Sequence, residues 1–428
     1  MAILYNIAFL IFAIFYIPVF LLNRRREGIA LRLGLYPEEL IERLKERRNI
    51  WIHAVSVGEV MALASLMEAI RKRYPQSRIV ITTVTETGNT VAHKVIKGDE
   101  IVLYLPFDIS FVVRKVLGYI NPSALIIAET EIWPNLIMES DRRGIPIIIV
   151  NGRISDRSFG RYKLVKAMLR PVLKMVNIFI MQSDADSKRI ICLGAQASSV
   201  KVSGNMKFDS AVSIDTVDKK DKDLMQMLGI SDDDKLFIAG STHPGEEEIV
   251  LSVYSELKRK FDNIRLLLAP RHIERANELE GLIKKYGFTP VKVSQLSTMN
   301  HELSTSNVFL LDTMGQLKDL YAIVFAVFIG GSMVKKGGQN MIEPAVFKKP
   351  ILFGPHTSNF RGIADLFIKK EAALLVKDKA SLKSALEKLL NEPDRADRLG
   401  KSARFIVDEN IGATESVIKE IEDAKILL

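Results

Sequence analysis

The segment IWIHAVSVGE at positions 50–59 shows the pattern that the rest of the chain repeats. It begins with a short apolar run rich in β-branched side chains, and a helical pattern follows from Glu59 to Arg73. Such continuous apolar runs, alternating with amphipathic helices, are typical of buried strands in a parallel sheet. The segment therefore predicts one strand–loop–helix unit of a doubly wound α/β fold.

The same alternation occurs in two series, which a charged stretch between Asp209 and Lys235 separates. The first series contains IWIHAV (50–55), IVITTV (79–84), IVLYLP (101–106), ALIIAE (124–129), IPIIIV (145–150) and NIFIMQ (177–182). The second contains KLFIAG (235–240), IRLLLAP (264–270), NVFLLD (307–312), FAVFIGG (325–331), PILFGP (350–355) and AALLV (372–376). We expect two Rossmann-like domains with a ligand cleft between the carboxyl ends of their sheets.

An apolar run from Ile3 to Leu22 precedes both series and ends at three arginines, 24–26. About 20 helical residues just span a ~30 Å hydrocarbon core, and cations after the run favour a cytoplasmic location for the bulk of the chain. A helix that lies on the membrane or in a protein core is the alternative. The predicted organisation is an anchor helix at 1–23, an α/β domain at 24–210 and a second at 211–428. The C-terminal helices of the second domain pack on the outside or cross back.

Composition and charge exclude several classes of protein. With 48% hydrophobic and 26% charged residues, the chain is globular rather than disordered, and a lone cysteine, Cys192, excludes a disulfide scaffold. The 428 residues carry a net charge of +9, and residues 1–210 hold 29 basic against 19 acidic side chains. A basic half predicts an anionic partner. Nucleic acid is disfavoured because no binding motif occurs and no aromatic residues interleave with the cations.

Two basic clusters, 43–48 and 71–73, are candidates for contact with an anionic membrane surface. The simpler interpretation of each cluster is a solvated helix face.

Carboxylates in the loops of the first domain are the candidate catalytic groups. Ser56 and Glu59 have the spacing of a capping box, so Glu59 is either a structural residue or a general base. Glu129 directly follows a buried strand, whereas Glu131 could merely favour a helix dipole. Lys207 lies in the segment NMKFD (205–209), whose simpler interpretation is a linker.

The loops of the second domain are rich in glycine and cations. GSTHPG at 240–245 opens a helix that starts with three glutamates; its backbone N–H groups suit a phosphate, although the acidic residues also suit an empty helix N-terminus. Arg271 places a cation after the next strand, and Glu343 could accept both hydroxyls of a ribose. Glycine pairs at 330–331 and 337–338 allow a ligand to approach the backbone, but tight turns are the default explanation for them.

We predict no metal and no cofactor. Asp184 and Asp186 follow Ser183 at a helix start, where capping explains them, and the six histidines lack metal-ligand spacing.

Eight motifs occur in an order that resembles the Kdo (3-deoxy-D-manno-octulosonic acid) transferase family of lipopolysaccharide assembly. They are HAVSVGE (53–59), TTVTETG (82–88), ETEIWPN (129–135), GNMKFD (204–209), GSTHPGEEE (240–248), APRH (269–272), DTMGQL (312–317) and GGQNMIEP (337–344). The resemblance covers the whole chain and implies a GT-B glycosyltransferase fold. It also implies inverting, metal-independent transfer of Kdo from CMP-Kdo to a lipid A precursor (lipid IVA) at the inner face of the cytoplasmic membrane.

The resemblance also assigns roles to residues. Glu59 matches the general base, and Glu129 and Lys207 match positions that support the transition state. We place Ser56 with the substrate-binding residues. The positions that match the CMP-binding residues are Pro270, Arg271, Met314, Gly315, Asn340, Met341, Ile342 and Glu343.

Two residues depart from the family pattern. Gln316 stands where an acidic residue is usual, and Gln339 stands where histidine often precedes Asn340. Two other functions remain open: another GT-B nucleotide-sugar transferase or UDP-sugar epimerase-like enzyme, and a membrane-bound lipid-binding scaffold.

Overall fold

The computed structural model of the chain describes residues 28–212, 220–298 and 307–427. The chain forms two compact units. The first runs to Ser210 and takes in Asn410–Leu428, and the second is Ala211–Glu409.

The first unit is built on a wholly parallel seven-stranded sheet in the order β3-β2-β1-β4-β5-β6-β7. Its strands are β1 (Arg48–His53), β2 (Ser77–Thr83), β3 (Ile101–Tyr104), β4 (Pro122–Ala128), β5 (Ile147–Gly152), β6 (Ile178–Met181) and β7 (Val200–Val202). Because the winding reverses between β1 and β4, the loops after these two strands diverge and leave a crevice at their carboxyl ends.

Helices of the first unit connect these strands. They are α1 (Ile29–Arg32), α2 (Glu38–Lys45), α3 (Val57–Ala62), α4 (Ala64–Arg73), α5 (Glu86–Val95), α6 (Ser110–Ile120), α7 (Pro134–Asp141), α8 (Asp156–Leu164), α9 (Lys166–Leu173), α10 (Asp184–Leu193) and α11 (Lys207–Val212).

The second unit repeats the architecture with a parallel sheet in the order β10-β11-β9-β8-β12-β13-β14. Its strands are β8 (Lys235–Thr242), β9 (Ile264–Pro270), β10 (Thr289–Lys292), β11 (Asn307–Leu310), β12 (Ala326–Ile329), β13 (Ile351–Phe353) and β14 (Leu374–Leu375). Its helices are α12 (Lys220–Leu228), α13 (Glu246–Lys258), α14 (Ala276–Lys285), α15 (Leu317–Leu320), α16 (Ile342–Val346), α17 (Arg361–Lys369), α18 (Lys379–Asn391) and α19 (Pro393–Asn410). A last helix, α20 (Ala413–Asp423), returns to the first unit.

Burial of both sheet faces explains the continuous apolar runs. In β1, Trp51 packs into one core of the first unit, whereas Ile50 and Ile52 pack into the core on the opposite face. Strands buried on both faces need apolar side chains at every position, which is the pattern that the sequence shows. The prediction of two doubly wound α/β domains is confirmed.

Two features of the architecture differ from the expectation. The second predicted domain extended to 428, but α20 buries Val417, Ile418 and Ile421 in a core of the first unit. The strands β7 and β10 were not predicted, and both lie at sheet edges.

The predicted anchor, 3–22, lies outside the described residues. Within the described ranges no helix combines the length and the apolar character that a membrane span needs.

Candidate active site

The carboxyl edge of the first sheet carries the candidate catalytic residues. Glu59 lies in α3, just after β1, Glu129 follows β4, and Lys207 follows β7 at the start of α11. Parallel strands bring these loops to one edge although the residues are far apart in the chain.

Two donors fix the Glu59 carboxylate. Its Oε2 accepts a hydrogen bond from the Val55 N–H at 2.7 Å, and its Oε1 accepts one from the Ser56 hydroxyl at 3.1 Å. The predicted capping box is wrong in detail, because the Ser56 side chain accepts no bond from the helix and instead donates to the carboxylate. Ser56 therefore positions Glu59.

The environment of Glu59 suits a general base at neutral pH. The residue is only 7% exposed, and burial followed by the nearby charge of Glu129 raises its pKa from 4.5 to about 7. The charge of Glu131 raises the pKa further, while the bonds from Val55 and Ser56 oppose the shift. A base with a pKa near the working pH combines adequate ionisation with a strong affinity for the proton.

Glu129 and Lys207 form an ion pair beside Glu59. Lys207 Nζ donates to Glu129 Oε1 at 3.0 Å, and the two side chains are 15% and 25% exposed, respectively. Glu129 has φ 52, in the left-handed region that non-glycine residues seldom adopt. A strained backbone at the end of a buried strand turns this carboxylate toward the loops of the edge.

The segment 205–209 is anchored at several points rather than being a simple linker. The Asn205 side chain accepts from the Lys207 N–H at 3.0 Å, and Asn151 Oδ1 accepts from the Met206 N–H at 3.1 Å. The Asp209 carboxylate accepts from the N–H groups of Gly412 and Thr414, each at 2.6 Å. These bonds fix the backbone from which Lys207 reaches Glu129.

Two further groups lie at this edge, and neither was predicted as a site residue. Glu131 lies three residues before α7, so it is not a first-turn dipole residue; burial and then the charge of Glu129 raise its pKa to about 6. His53 is fully buried, its ring meets Trp133 edge-to-face at 6.1 Å, and burial lowers its pKa to about 4 against an opposing bond from Thr82. A buried histidine at the end of a strand is neutral at pH 7, so it adds no cation to the three carboxylates.

In the second unit, Glu246 occupies the glycine loop that was expected to approach a ligand. Its carboxylate accepts four backbone N–H bonds of 2.7–3.0 Å, from His243, Gly331, Ser332 and Met333. Gly330 is required here because a Cβ would lie 2.3 Å from the Ser241 carbonyl oxygen. The 330–332 loop therefore binds an internal anion, and these N–H groups do not cradle a phosphate.

Cations lie near His243 at the carboxyl edge of the second sheet. The His243 and His272 rings meet at 5.8 Å, and Gln339 approaches the His243 ring at 3.5 Å. Burial, followed by the charges of His272, Lys336 and Arg271, lowers the pKa of His243. Side chains from the loops after β8, β9 and β12 thus converge into a positive region suited to a phosphate or a carboxylate.

The residues matched to CMP binding divide into exposed and buried ones. Arg271 and Met314 are exposed, whereas the side chains of Pro270, Met341 and Ile342 are buried, so these three can meet a ligand only through their backbone. Gly315 has φ 92, a conformation that side chains disfavour, and no other group lies within 4 Å of a Cβ built there.

Glu343 is held by Asn340, three residues earlier in the chain, and by Lys318 of α15. Its Oε1 accepts from Asn340 Nδ2 at 3.1 Å and lies 3.5 Å from Lys318 Nζ. Burial raises the pKa of this carboxyl, and Lys318 and Asn340 oppose the rise. Tyr321, also close to Glu343, places its hydroxyl against Gly240.

Asp186 has a structural role at the start of α10, and Asp184 lies in the first turn of the same helix. The Ser183 hydroxyl accepts from the Asp186 N–H at 3.2 Å, and Asp186 Oδ1 accepts from the Ile154 N–H at 2.8 Å. This confirms the prediction of helix capping. Across residues 28–212, 220–298 and 307–427, no three His, Cys, Asp or Glu side chains are arranged to hold a metal ion.

Relatives of known family match most of the chain. A family model described as 3-deoxy-D-manno-octulosonic-acid transferase (kdotransferase) matches residues 27–210. A 3-deoxy-D-manno-octulosonic acid transferase of Haemophilus influenzae is 36% identical over 92% of this chain and 91% of its own length. One of Chlamydophila psittaci is 31% identical over 84% of this chain and 82% of its own length.

A solved structure of a different enzyme has a similar fold. The UDP-GlcNAc 2-epimerase of Neisseria meningitidis, solved with UDP-GlcNAc, matches with a TM-score of 0.59 over 88% of this chain and 100% of its own, at 14% identity. At that identity the likeness concerns the fold alone, and with the two parallel sheets it supports a GT-B fold. From the sequence relatives we conclude that the chain belongs to the 3-deoxy-D-manno-octulosonic acid (Kdo) transferase family and is a glycosyltransferase.

Proposed function

We propose that the protein transfers Kdo from CMP-Kdo to a sugar hydroxyl of a lipid A precursor, lipid IVA, with inversion and without a metal ion. We further propose that residues 1–23 anchor it at the inner membrane, with both units on the cytoplasmic side. Family membership supports Kdo as the sugar that is transferred. The observation that carries the proposed chemistry is the buried Glu59 carboxylate, with its pKa near 7 and its two fixed donors.

Glu59 is the general base of this mechanism. Its carboxylate takes the proton of the acceptor hydroxyl as the hydroxyl oxygen forms a bond to the anomeric carbon of Kdo. The bond between that carbon and the phosphate oxygen breaks, and CMP leaves with the electron pair. Attack from the face opposite CMP inverts the anomeric centre.

The cations of the second unit fit the leaving group. CMP carries a single phosphate, and Arg271 and Lys336 near His243 supply fixed positive charge for it. The cation of Lys207, held by Glu129, supplies positive charge at the edge of the first sheet. Such groups stabilise developing negative charge without needing to reorganise.

The decisive experiment incubates the protein with CMP-Kdo and a tetraacyl lipid A precursor and measures the product by mass spectrometry. We expect the acceptor mass to rise by whole Kdo units with the wild type and with Glu68→Gln, an exposed carboxylate on α4 that serves as the charge-matched control. Glu59→Gln should lose at least 10²-fold in rate, as expected for removal of a general base, while still binding CMP. Retained turnover in Glu59→Gln would refute the assignment of the base.

Two further measurements on the same protein distinguish Kdo transfer from the two alternative functions. Titration calorimetry with CMP and with UDP is expected to show tighter binding of CMP. Preference for UDP would favour a different nucleotide-sugar enzyme of this fold. An acceptor that binds but never gains mass with the wild type would favour a lipid-binding scaffold.

A further inference from the structure

One surface of the first unit combines exposed apolar side chains with cations that lack acidic partners. It lies on α8 and α9, and we call it the 157–170 surface. Its apolar residues Leu164, Val165 and Met168 are 86%, 42% and 38% exposed, respectively. Its cations are all exposed: Arg157, Arg161, Lys163, Lys166 and Arg170.

The fold does not need these exposed side chains. The inner faces of the same two helices pack into the core of the first unit through Phe159, Tyr162, Leu169 and Val172. Leu164 lies where α8 ends and α9 begins, on the outer side of this packed pair of helices. An exposed group of large apolar residues that is ringed by charge marks an interaction site.

The cations of this surface lack acidic partners. In the described part of the chain, none of the five lies within ion-pair distance of a carboxylate, and the nearby Asp156 pairs with Arg189 instead. The basic clusters first considered for the membrane differ in this respect. Lys45 and Arg47 pair with Glu42 and Asp99, and the cations 71–73 pair with Glu68, Glu100, Glu415 and Glu422. Uncompensated positive charge is therefore concentrated on the 157–170 surface rather than on those clusters.

The surface is also close to the candidate catalytic edge. Burial and then the charge of Glu131 raise the pKa of Tyr162, whose ring lies on the inner side of α8. Glu131 in turn raises the pKa of Glu59. The inner side of α8 thus lies near Glu131, one of the three carboxylates.

We propose that the 157–170 surface inserts into the interfacial region of an anionic lipid bilayer. Leu164, Val165 and Met168 enter the boundary between headgroups and acyl chains, and the surrounding cations contact the anionic headgroups. Charge favours this partner, because five cations without acidic partners around an apolar centre complement a negatively charged surface with an apolar interior. Bilayer binding is independent of the proposed Kdo transfer; only the consequence, that the catalytic edge meets a membrane-bound acceptor, rests on the proposed function.

The experiment uses the full chain and measures insertion at one residue of the 157–170 surface. A fluorophore at that residue reports its own surroundings, so membrane binding by residues 1–27 does not by itself produce the signal. Cys192→Ser removes the single exposed thiol, and Leu164→Cys then carries an environment-sensitive fluorophore. A matched protein carries the fluorophore at Phe405→Cys, an exposed apolar position of the second unit. Each is mixed with vesicles of phosphatidylcholine alone or with about one-third phosphatidylglycerol, and quenching by lipids labelled along the acyl chain reports depth.

We expect a blue shift and quenching at position 164 with the anionic vesicles, and neither at position 405. Replacing Arg161, Lys163 and Lys166 by glutamine should lower the inserted-to-free ratio about 100-fold, since each cation near an anionic surface contributes roughly 1 kcal/mol, a factor of about five. The control, Lys284, Lys285 and Lys388 replaced by glutamine, removes three exposed cations from the second unit and should leave the ratio unchanged.

Three results would overturn the proposal. An unchanged spectrum at position 164 with anionic vesicles would show that the surface does not insert. An equal change with pure phosphatidylcholine would show that the cations do not select an anionic surface. A change that depends on protein concentration without lipid would identify a second copy of the chain as the occupant. None of these readouts uses donor or acceptor, so failure of Kdo transfer is a separate result.

Discussion

At the scale of single residues, three carboxylates share one sheet edge with Lys207. Glu59, Glu129 and Glu131 repel one another when all are ionised, and Lys207 forms an ion pair with Glu129. Carboxylates that lie close together and are partly buried raise each other's pKa. The protonation of Glu59 is therefore set by residues from two other loops, which makes it sensitive to substitutions that never touch the acceptor.

Substitution of Glu129 should move the pH profile of transfer. The base must be ionised, so the acidic limb of kcat/KM follows the pKa of Glu59 in the free enzyme. Glu129→Gln removes a negative charge and leaves Lys207, and both effects lower that pKa; we expect the limb to move down by about one pH unit. Lys207→Met leaves the Glu129 charge uncompensated and should move the limb up.

The position of the limb, rather than the maximal rate, is the measurement. Glu131→Gln provides the comparison, since its charge has a smaller effect on Glu59 than that of Glu129, and its shift should be smaller in the same direction. A limb that stays in place in all three variants would mean that Glu59 is not the group being titrated.

Glu59 should also make the first unit less stable at high pH. The pKa of Glu59 is about 7 in the folded chain and 4.5 for an ordinary glutamate, the value we take for the unfolded chain. Between these two pH values, the folded state therefore retains a proton that the unfolded state loses. Stability is lost as the pH rises from 4.5 to 7, by up to roughly 3 kcal/mol, and stays lost above 7. Glu59→Gln should therefore stabilise the unit at pH 8 and change little at pH 4.5.

Urea unfolding followed by tryptophan fluorescence can measure this effect. Both tryptophans, Trp51 and Trp133, lie in the first unit, so the signal follows that unit alone. Glu39→Gln, at an exposed carboxylate on α2, is the control and should show no such dependence on pH. Equal stability of Glu59→Gln and wild type at pH 8 would argue against a raised pKa.

Sequence reasoning located Glu59, Glu129 and Lys207 as candidates but left the role of Glu59 open. The spacing of Ser56 and Glu59 is the same for a capping box and for a hydroxyl that positions a base. Only the direction of the hydrogen bond distinguishes the two, and it depends on the orientation of the loop. The raised pKa of Glu131 was not predicted, because it depends on burial and on the nearby charge of Glu129, which only the folded chain shows.

At the scale of elements, the sequence predicted all the inner strands and missed two at the edges. The missed strands are VKV in β7 and TPVK in β10. An edge strand has a partner on one side only and is partly exposed, so polar side chains and proline are tolerated there. Neither segment has the continuous apolar run by which the inner strands were recognised.

Glycine loops were interpreted less well than strands. The pair at 330–331 suggested a ligand, but the groups that approach it are the Glu246 carboxylate and the backbone of Ser241. A glycine pattern shows that something comes close to the backbone, without showing whether it is a ligand or another part of the chain.

The contact between α11 and α20 gives a test at this scale. The Asp209 carboxylate caps the start of α20 through two N–H groups, which are otherwise unpaired at a helix N-terminus. Asp209→Ala should lower the stability of the first unit by about 1–2 kcal/mol, and Asp209→Asn, which keeps one acceptor oxygen, by less. The midpoint of the fluorescence-detected urea transition is the measurement.

Asp141→Ala is the matched control, because Asp141 is exposed at the end of α7. Its midpoint should equal that of the wild type. If Asp209→Ala also leaves the midpoint unchanged, the two bonds do not hold the C-terminal helix.

At the scale of the whole molecule, the first unit is discontinuous in sequence. Its sheet is complete by Val202, yet its core is closed by a helix that begins at Ala413. The sequence could show that the last helices are amphipathic, but an apolar stripe does not identify the surface it covers. The choice between packing on the second domain and crossing back was therefore left open, and the structure shows that α20 crosses back.

Because α20 belongs to the first unit, a substitution that disrupts α20 should destabilise that unit and not the second one. Ile418 is fully buried in the core that contains Ile50, Ile52 and Ile126. Ile418→Asp places a carboxylate among apolar side chains and should cost the first unit about 3–5 kcal/mol. Lys419→Asp changes the next residue on the exposed side of the same helix and should have little effect.

Amide hydrogen exchange, resolved by peptide, distinguishes the two units in the full chain. In Ile418→Asp, peptides from β1 and β4 should exchange faster, because opening of the first unit becomes less costly. Peptides from β8 and β9, whose core contains no residue of α20, should keep the exchange rates of the wild type. Faster exchange in the second sheet but not the first would instead place α20 with the second unit, as the sequence pattern allowed.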